Sequence, residues 1–169
     1  GSKPAAIFVT AVDTEPLAAD TRVALSGRED DLALGLTALS ALTEGTVYLC
    51  QDTGAPLVPE VPGIEIHGFE GPPPAGPAGT PIHFLEPPSS ERTVWTIGAQ
   101  DAVEIGTLLR TGFLDPSRVI ALSGPRATDP RLLRTLRGAS INDLLHAASR
   151  DPETPCRVIS CSVLSGPPP

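Results

Sequence analysis

What this 169-residue sequence has little of already narrows it. Basic side chains are scarce: 12 Lys and Arg stand against 20 Asp and Glu, a net charge of −8. A surface that acidic repels phosphate backbones and anionic lipid headgroups, which excludes nucleic-acid binding driven by counterion release. No uninterrupted apolar run approaches the roughly 20 residues that a membrane span needs, so no direct membrane span is expected. Cysteine is limited to Cys50, Cys156 and Cys161, an odd and irregular set. That set argues against a disulfide framework and suits a reducing compartment. There is no signal-peptide pattern and no methionine. Positions 1–3 accordingly read as a tag scar and linker, and the chain as an excised piece of a longer one.

Proline, by contrast, is abundant. Its 20 residues make about 12% of the chain, against a usual value of about 5%. With 40% hydrophobic residues the chain is too apolar for disorder, so the prolines imply a folded core carrying long rigid loops. Ala5 to Val12 is β-branched and apolar, the pattern of a strand buried on both faces. Ser26-Gly27-Arg28-Glu29 has the spacing of a capping box, followed by Leu32, Leu36, Leu39 and Leu42 on one helical face and Gly45 as the stop. Thr46 to Cys50, Ile64 to Phe69, Arg92 to Ile97, Arg118 to Ser123 and Arg157 to Leu164 read as further strands. Gln100 to Thr111 reads as a helix with Ala102, Ile105, Leu108 and Leu109 inward and Gly112 as its stop. Asp129-Pro130 has the chemistry of a helix start, and Ser140 with Asp143 that of another. Strands alternating with helices predict an α/β fold, a Rossmann-like layered domain with a mostly parallel sheet. It is expected to span residues 4–155, with residues 156–169 a final strand leading into a following module.

The motifs of familiar chemistry are absent. There is no Gly-x-Gly-x-x-Gly turn and no phosphate-binding Lys loop. The nearest candidate, Gly71 to Pro81, reads as a rigid loop whose Pro72, Pro73, Pro74 and Pro77 have no N–H to offer a phosphate. His67, His83 and His146 are scattered and Cys156 and Cys161 have no matching pair, so no metal site is expected. No nucleophile elbow or triad setting occurs, and no catalytic residue is assigned. Asp13 and Glu15 fall at the carboxyl end of the first strand, where open α/β sheets place their ligand crevice, but turn chemistry is the better reading of Asp13-Thr14-Glu15-Pro16. Arg131, Arg134 and Arg137 recur every third residue, the spacing of a solvated helix face or a docking stripe for an acidic partner.

Taken in order, FVTAVDTEPLAAD (8–20), GLTALSALTEGTVYLC (35–50), GPPPAGPAGTPIHFL (71–85), VWTIGAQD (94–101), VIALSGP (119–125), PRLLRT (130–135) and RVISCSVLSG (157–166) resemble the A subunit of the bacterial sodium-translocating NADH:quinone oxidoreductase, over nearly the whole chain. The chain resembles the middle α/β domain of that family. Gly71, Gly76, Gly79, Thr80, His83, Gln100 and Asp101 match the family pattern and, with Asp13, are candidate residues for a quinone or subunit interface. The family usually has His at Pro73 and Pro81, Leu at Pro77, Tyr at Ala99 and Gly at Cys161, so the roles of those side chains do not carry over.

The resemblance implies a peripheral subunit on the cytoplasmic face of the bacterial inner membrane. Its partners would be the other subunits, especially the membrane-embedded ones, and ubiquinone, to whose binding it would contribute. The fold is similar to that of the flavin-binding subunit of complex I and of its counterpart in Rnf-type complexes, which bind FMN and NADH through a Gly-Arg-Gly-Gly-Ala-Gly-Phe type loop. That loop and the Cys-rich cluster motifs are missing here. The implied role is therefore cofactor-free assembly, the flavins, iron centre and NADH of the complex belonging to other subunits, and the isolated domain is expected to be inactive. An electron-input domain holding FMN or NADH is the competing expectation.

Overall fold

The computed structural model describes residues 3–147, 157–164 and 166, with the side chains of 146 and 147 left aside. Among these residues two compact units form: residues 3–14 with 20–115, and residues 15–19 with the described part of 116–166. The division expected from sequence after 155 thus lies well beyond the break at 115/116.

The first unit runs β1 (Ala6–Ala11), α1 (Thr21–Leu25), α2 (Glu29–Ser40), β2 (Val47–Gln51), β3 (Ile64–Gly68), α3 (Gly79–Leu85), β4 (Val94–Gly98) and α4 (Ala99–Thr111). Its four strands are all parallel, in the order β3-β2-β1-β4. Being central, β1 is buried on both faces, as its apolar run predicts. Right-handed crossovers that step first one way along the sheet and then the other place their helices on opposite faces. On one face Ile7, Val9, Leu49 and Val47 pack with Leu32, Leu36 and Leu39 of α2 and Ala102 and Val103 of α4. On the other, Ala6, Phe8 and Cys50 pack with Tyr48, Phe69, Ile82 and Leu85. This is a Rossmann-like layered α/β fold.

α2 and α4 meet through glycine. A Cβ at Gly35 would stand 2.0 Å from the Ala102 carbonyl oxygen, and one at Gly106 would stand 1.8 Å from that of Asp31. Backbone therefore lies on backbone, and the helices are clamped there by a buried carboxylate. Arg110 Nε donates to Asp31 Oδ1 at 2.6 Å; Arg28 Nε and the Thr107 hydroxyl approach Oδ2 at 3.1 and 2.9 Å. Arg28 also pairs with Asp115 at 3.1 Å. These donors, Arg110 first, hold the Asp31 carboxyl down at about 2 against its burial.

Several expectations are corrected. Ser26 caps nothing: it closes α1, and α2 starts at Glu29 without a side-chain cap, Glu29 Oε1 accepting instead from the Gly27 amide at 3.1 Å. Gly45 does not stop α2, which ends at Ser40; it lets the Ala5 carbonyl approach to 1.7 Å from where its Cβ would be. The rigid loop is shorter than 71–81, because Gly79, Thr80 and Pro81 already belong to α3. Leu42, Leu108 and Leu109 are exposed, and Val103, Gly106 and Thr107 occupy the buried face of α4 instead. Gly112 does end α4, in the left-handed conformation at φ 76°.

In the second unit β5 (Ser117–Leu122) and β6 (Arg131–Leu136) form an antiparallel pair, with Val119 opposite Arg134. The helix expected after Asp129-Pro130 is therefore β6, and Arg131, Arg134 and Arg137 make no helical stripe. Arg131 is half-buried and Arg134 exposed, as residues three apart on a strand must alternate. α5 (Ile141–Ala147) begins as expected, the Asp143 amide donating to Ser140 Oγ at 3.4 Å. Residues 157–164 form no strand but an irregular turn, in which Cys161 sits at φ 69° and Ser162 donates to Glu15 Oε2 at 2.6 Å.

Candidate functional site

The order β3-β2-β1-β4 reverses direction between β1 and β4. α2, which follows β1, and α4, which follows β4, pack on the same face, so the candidate crevice is the region beyond the carboxyl ends of the parallel strands, the end where open α/β sheets bind ligands. Most residues singled out from sequence sit on segments that leave this end of the sheet. Asp13 follows β1, Gly71 and Gly76 lie between β3 and α3, Gly79 and Thr80 open α3, and Gln100 and Asp101 lie in the first turn of α4 after β4. His83 is one turn into α3 and exposed, its ring edge-on to Phe84 at 5.2 Å. Glu15 belongs to the second unit.

The crevice is occupied by the protein itself. The proline loop folds down so that the buried Gly76 amide donates to Thr14 Oγ1 at 2.8 Å. A Cβ at Gly76 would stand 2.6 Å from the Thr14 nitrogen and 3.1 Å from Asp13 Cα, so only glycine allows the loop to lie there. Within the loop the Ala75 amide bonds Pro72 O and the Thr80 amide bonds Pro77 O, each at 3.0 Å, while the Thr80 hydroxyl donates to Pro74 O. The Ala75, Gly76 and Thr80 amides and the Thr80 hydroxyl are thus committed to the loop or to Thr14.

A second occlusion was not foreseen from sequence. Dinucleotide-binding folds keep an acidic residue at the end of the second strand for the ribose hydroxyls. Asp52 directly follows β2, but Arg22 of α1 holds it, Nε lying 3.0 and 2.7 Å from its two oxygens. Arg22 Nη2 also donates to Ala55 O at 2.7 Å, and the Gly54 amide to Asp52 Oδ1 at 2.9 Å. The guanidinium lowers the Asp52 carboxyl below its ordinary range. Nothing local announces this pair, because its members lie 30 residues apart. Only Asp52's place just after the apolar Thr46–Cys50 run could have pointed to it.

Among the described residues no three His, Cys, Asp or Glu side chains are grouped to hold a metal, and no helix is long and apolar enough to cross a membrane. Cys50 is buried and its thiol pushed up to about 12 by desolvation, so it is unreactive as a nucleophile. His67 lies 3.1 Å from Glu65 and 5.7 Å from the Tyr48 ring. Cys156 and the side chain of His146 lie outside the described residues.

A family model described as the NqrA second alpha/beta domain matches residues 1–114, and one described as the NQRA C-terminal domain matches 119–167. The chain belongs to the NqrA family. The junction between the two matches falls at the break between the two compact units. Proteins named as the A subunit of Na(+)-translocating NADH-quinone reductase from Rhodopirellula baltica and Neisseria meningitidis are 49% and 48% identical over 166 residues, 98% of this chain. One from Marinomonas sp. is 50% identical over 165 residues. The chain spans 36–37% of the length of these NqrA relatives. The resemblance drawn from the sequence motifs is thereby shown.

Proposed function

We propose that this chain is a cofactor-free part of the NqrA component of the sodium-translocating NADH-quinone reductase, serving assembly through its proline loop. The observation carrying this reading is the self-filled crevice: Gly76 lies on Thr14, and Arg22 takes up Asp52, where a nucleotide would need open backbone and a free carboxylate. The names of the relatives supply the complex. Its other subunits, the membrane-embedded ones above all, are the partners, which puts the domain peripherally on the cytoplasmic face of the inner membrane. A loop of fixed φ angles loses little entropy on docking, which suits an assembly surface.

Of the candidate residues, His83 is the group best able to meet a partner subunit or a ubiquinone carbonyl. It is exposed, whereas the Thr80 hydroxyl proton is committed to Pro74 O and leaves Thr80 only an acceptor role. Asp13, Gly71, Gly76, Gly79, Gln100 and Asp101 then shape the surface around it.

Titrating the purified chain with FMN and with NADH, followed by fluorescence, should give no saturable binding; a micromolar constant for either sinks the cofactor-free reading. In the whole enzyme, replacing Pro72 to Pro74 with Gly-Ser-Gly should leave the melting temperature of the isolated chain nearly unchanged while weakening subunit association or quinone turnover. Assembly and turnover both at wild-type levels would make the loop a passive surface.

A further inference from the structure

β4 is an edge strand of its sheet. Among the described residues it pairs with β1 on one side only. Soluble proteins guard such edges with Lys, Pro or a bulge. Val94-Trp95-Thr96-Ile97-Gly98 carries no charge and no proline. Register with Ile7 and Val9 turns Trp95 and Ile97 toward the α2/α4 face, where an apolar groove of about 480 Å³ runs along the strand. Leu39, Leu42 and Ile105 form its far wall. Trp95 is 43% exposed and Leu42 49%, and Leu109, one turn beyond Ile105, is 58% exposed. A bare ladder edge beside an apolar trough is the geometry that accepts an added strand: main-chain bonds go to the edge and every second side chain enters the groove.

We propose that this groove and the edge of β4 receive an extended segment of the full-length polypeptide lying outside residues 1–169, apolar at alternate positions. The matched family model is that family's second α/β domain, and relatives are nearly three times as long as this chain, so ample sequence exists to supply the strand. Size decides between a tethered segment and a free partner. A five-residue edge and one small groove fall short of the roughly 1,200–2,000 Å² that a specific free interface buries. A segment of the same polypeptide meets the groove at an effective concentration of about millimolar, so a small contact suffices. The proposal does not depend on what the proline loop binds.

Amide hydrogen exchange tests it, comparing the β4 peptide in the 169-residue chain and in the full-length protein. Exchange of residues 94–98 should be at least about tenfold slower in the full-length protein, at every protein concentration. Leu42→Glu should return the full-length rate to that of the short chain. In the short chain itself the same substitution should shift the melting temperature by no more than about 2 °C, because Leu42 is half exposed there. Equal exchange in the two forms, or protection that survives Leu42→Glu, overturns the proposal. Protection that grows with concentration would assign the edge to a second copy, and protection found only in the assembled complex would assign it to another subunit; either result also overturns it.

Discussion

Replacing Asp31 with asparagine removes one charge from the α2–α4 contact while keeping its volume. In the folded protein the Asp31 carboxyl is held at about 2 instead of 3.8, close to two pH units. At about 1.4 kcal/mol per unit, the ionised form contributes roughly 2.5 kcal/mol. Arg110 is half exposed and returns to water when its partner goes, and Arg28 retains Asp115, so no buried cation is stranded. The loss should therefore be about 2–3 kcal/mol, short of the roughly 3–5 kcal/mol seen when a buried charge is orphaned. For a chain of this size that is a fall in melting temperature of roughly 5–10 °C. The sign with pH follows from the lowered value. The stabilisation is complete above the unfolded carboxyl's 3.8 and is lost as pH falls through about 2. Urea unfolding of wild type and Asp31→Asn at pH 7, 4 and 2.5 should show a gap that is full at pH 7 and narrows toward pH 2. Variants that melt together at pH 7, or a gap that stays constant down to pH 2.5, would refute the assignment of that energy to the ion pair.

Gly106→Ala should cost about 3 kcal/mol or more, because its methyl would need the space 1.8 Å from the Asp31 carbonyl; a urea midpoint near wild type would show that the helices can part cheaply. Cys161→Gly should stabilise the chain by about 0.5–1 kcal/mol by relieving the left-handed backbone at φ 69°, and a lowered melting temperature would contradict that strain.

What the sequence made legible follows from how local each signal is. β1 and the face of Leu32, Leu36 and Leu39 were readable because burial imposes a period on neighbouring residues, and those periods were unambiguous. The α4 reading was right for Ala102 and Ile105, which face the core, and wrong for Leu108 and Leu109. Those two large residues outweigh small Gly106 and Thr107 in any hydrophobic count, yet close helix contact selects the small ones. β6 was mistaken for a helix because Asp129-Pro130 suits a helix start, while its pairing with β5 is set by residues up to nineteen positions away. At the crevice, the candidates lying after strand ends could be located from the α/β alternation alone. The Arg22–Asp52 pair that fills its other half joins segments no periodicity connects.

The central place of β1 has a consequence in time. Its partner β2 begins 40 residues after the paired Ile7, but β4 follows Ala6 by nearly 90 residues. At synthesis rates of about 5–20 residues per second, the β4-facing side of the most apolar strand waits roughly 4–18 seconds for its neighbour to leave the ribosome. During that wait the β1–α2–β2–β3 portion can pack while one flank of AIFVTA remains open to any passing chain. Yield during expression should therefore respond to translation speed between residues 68 and 94, and to holdase chaperones, more than to the melting temperature of the finished fold.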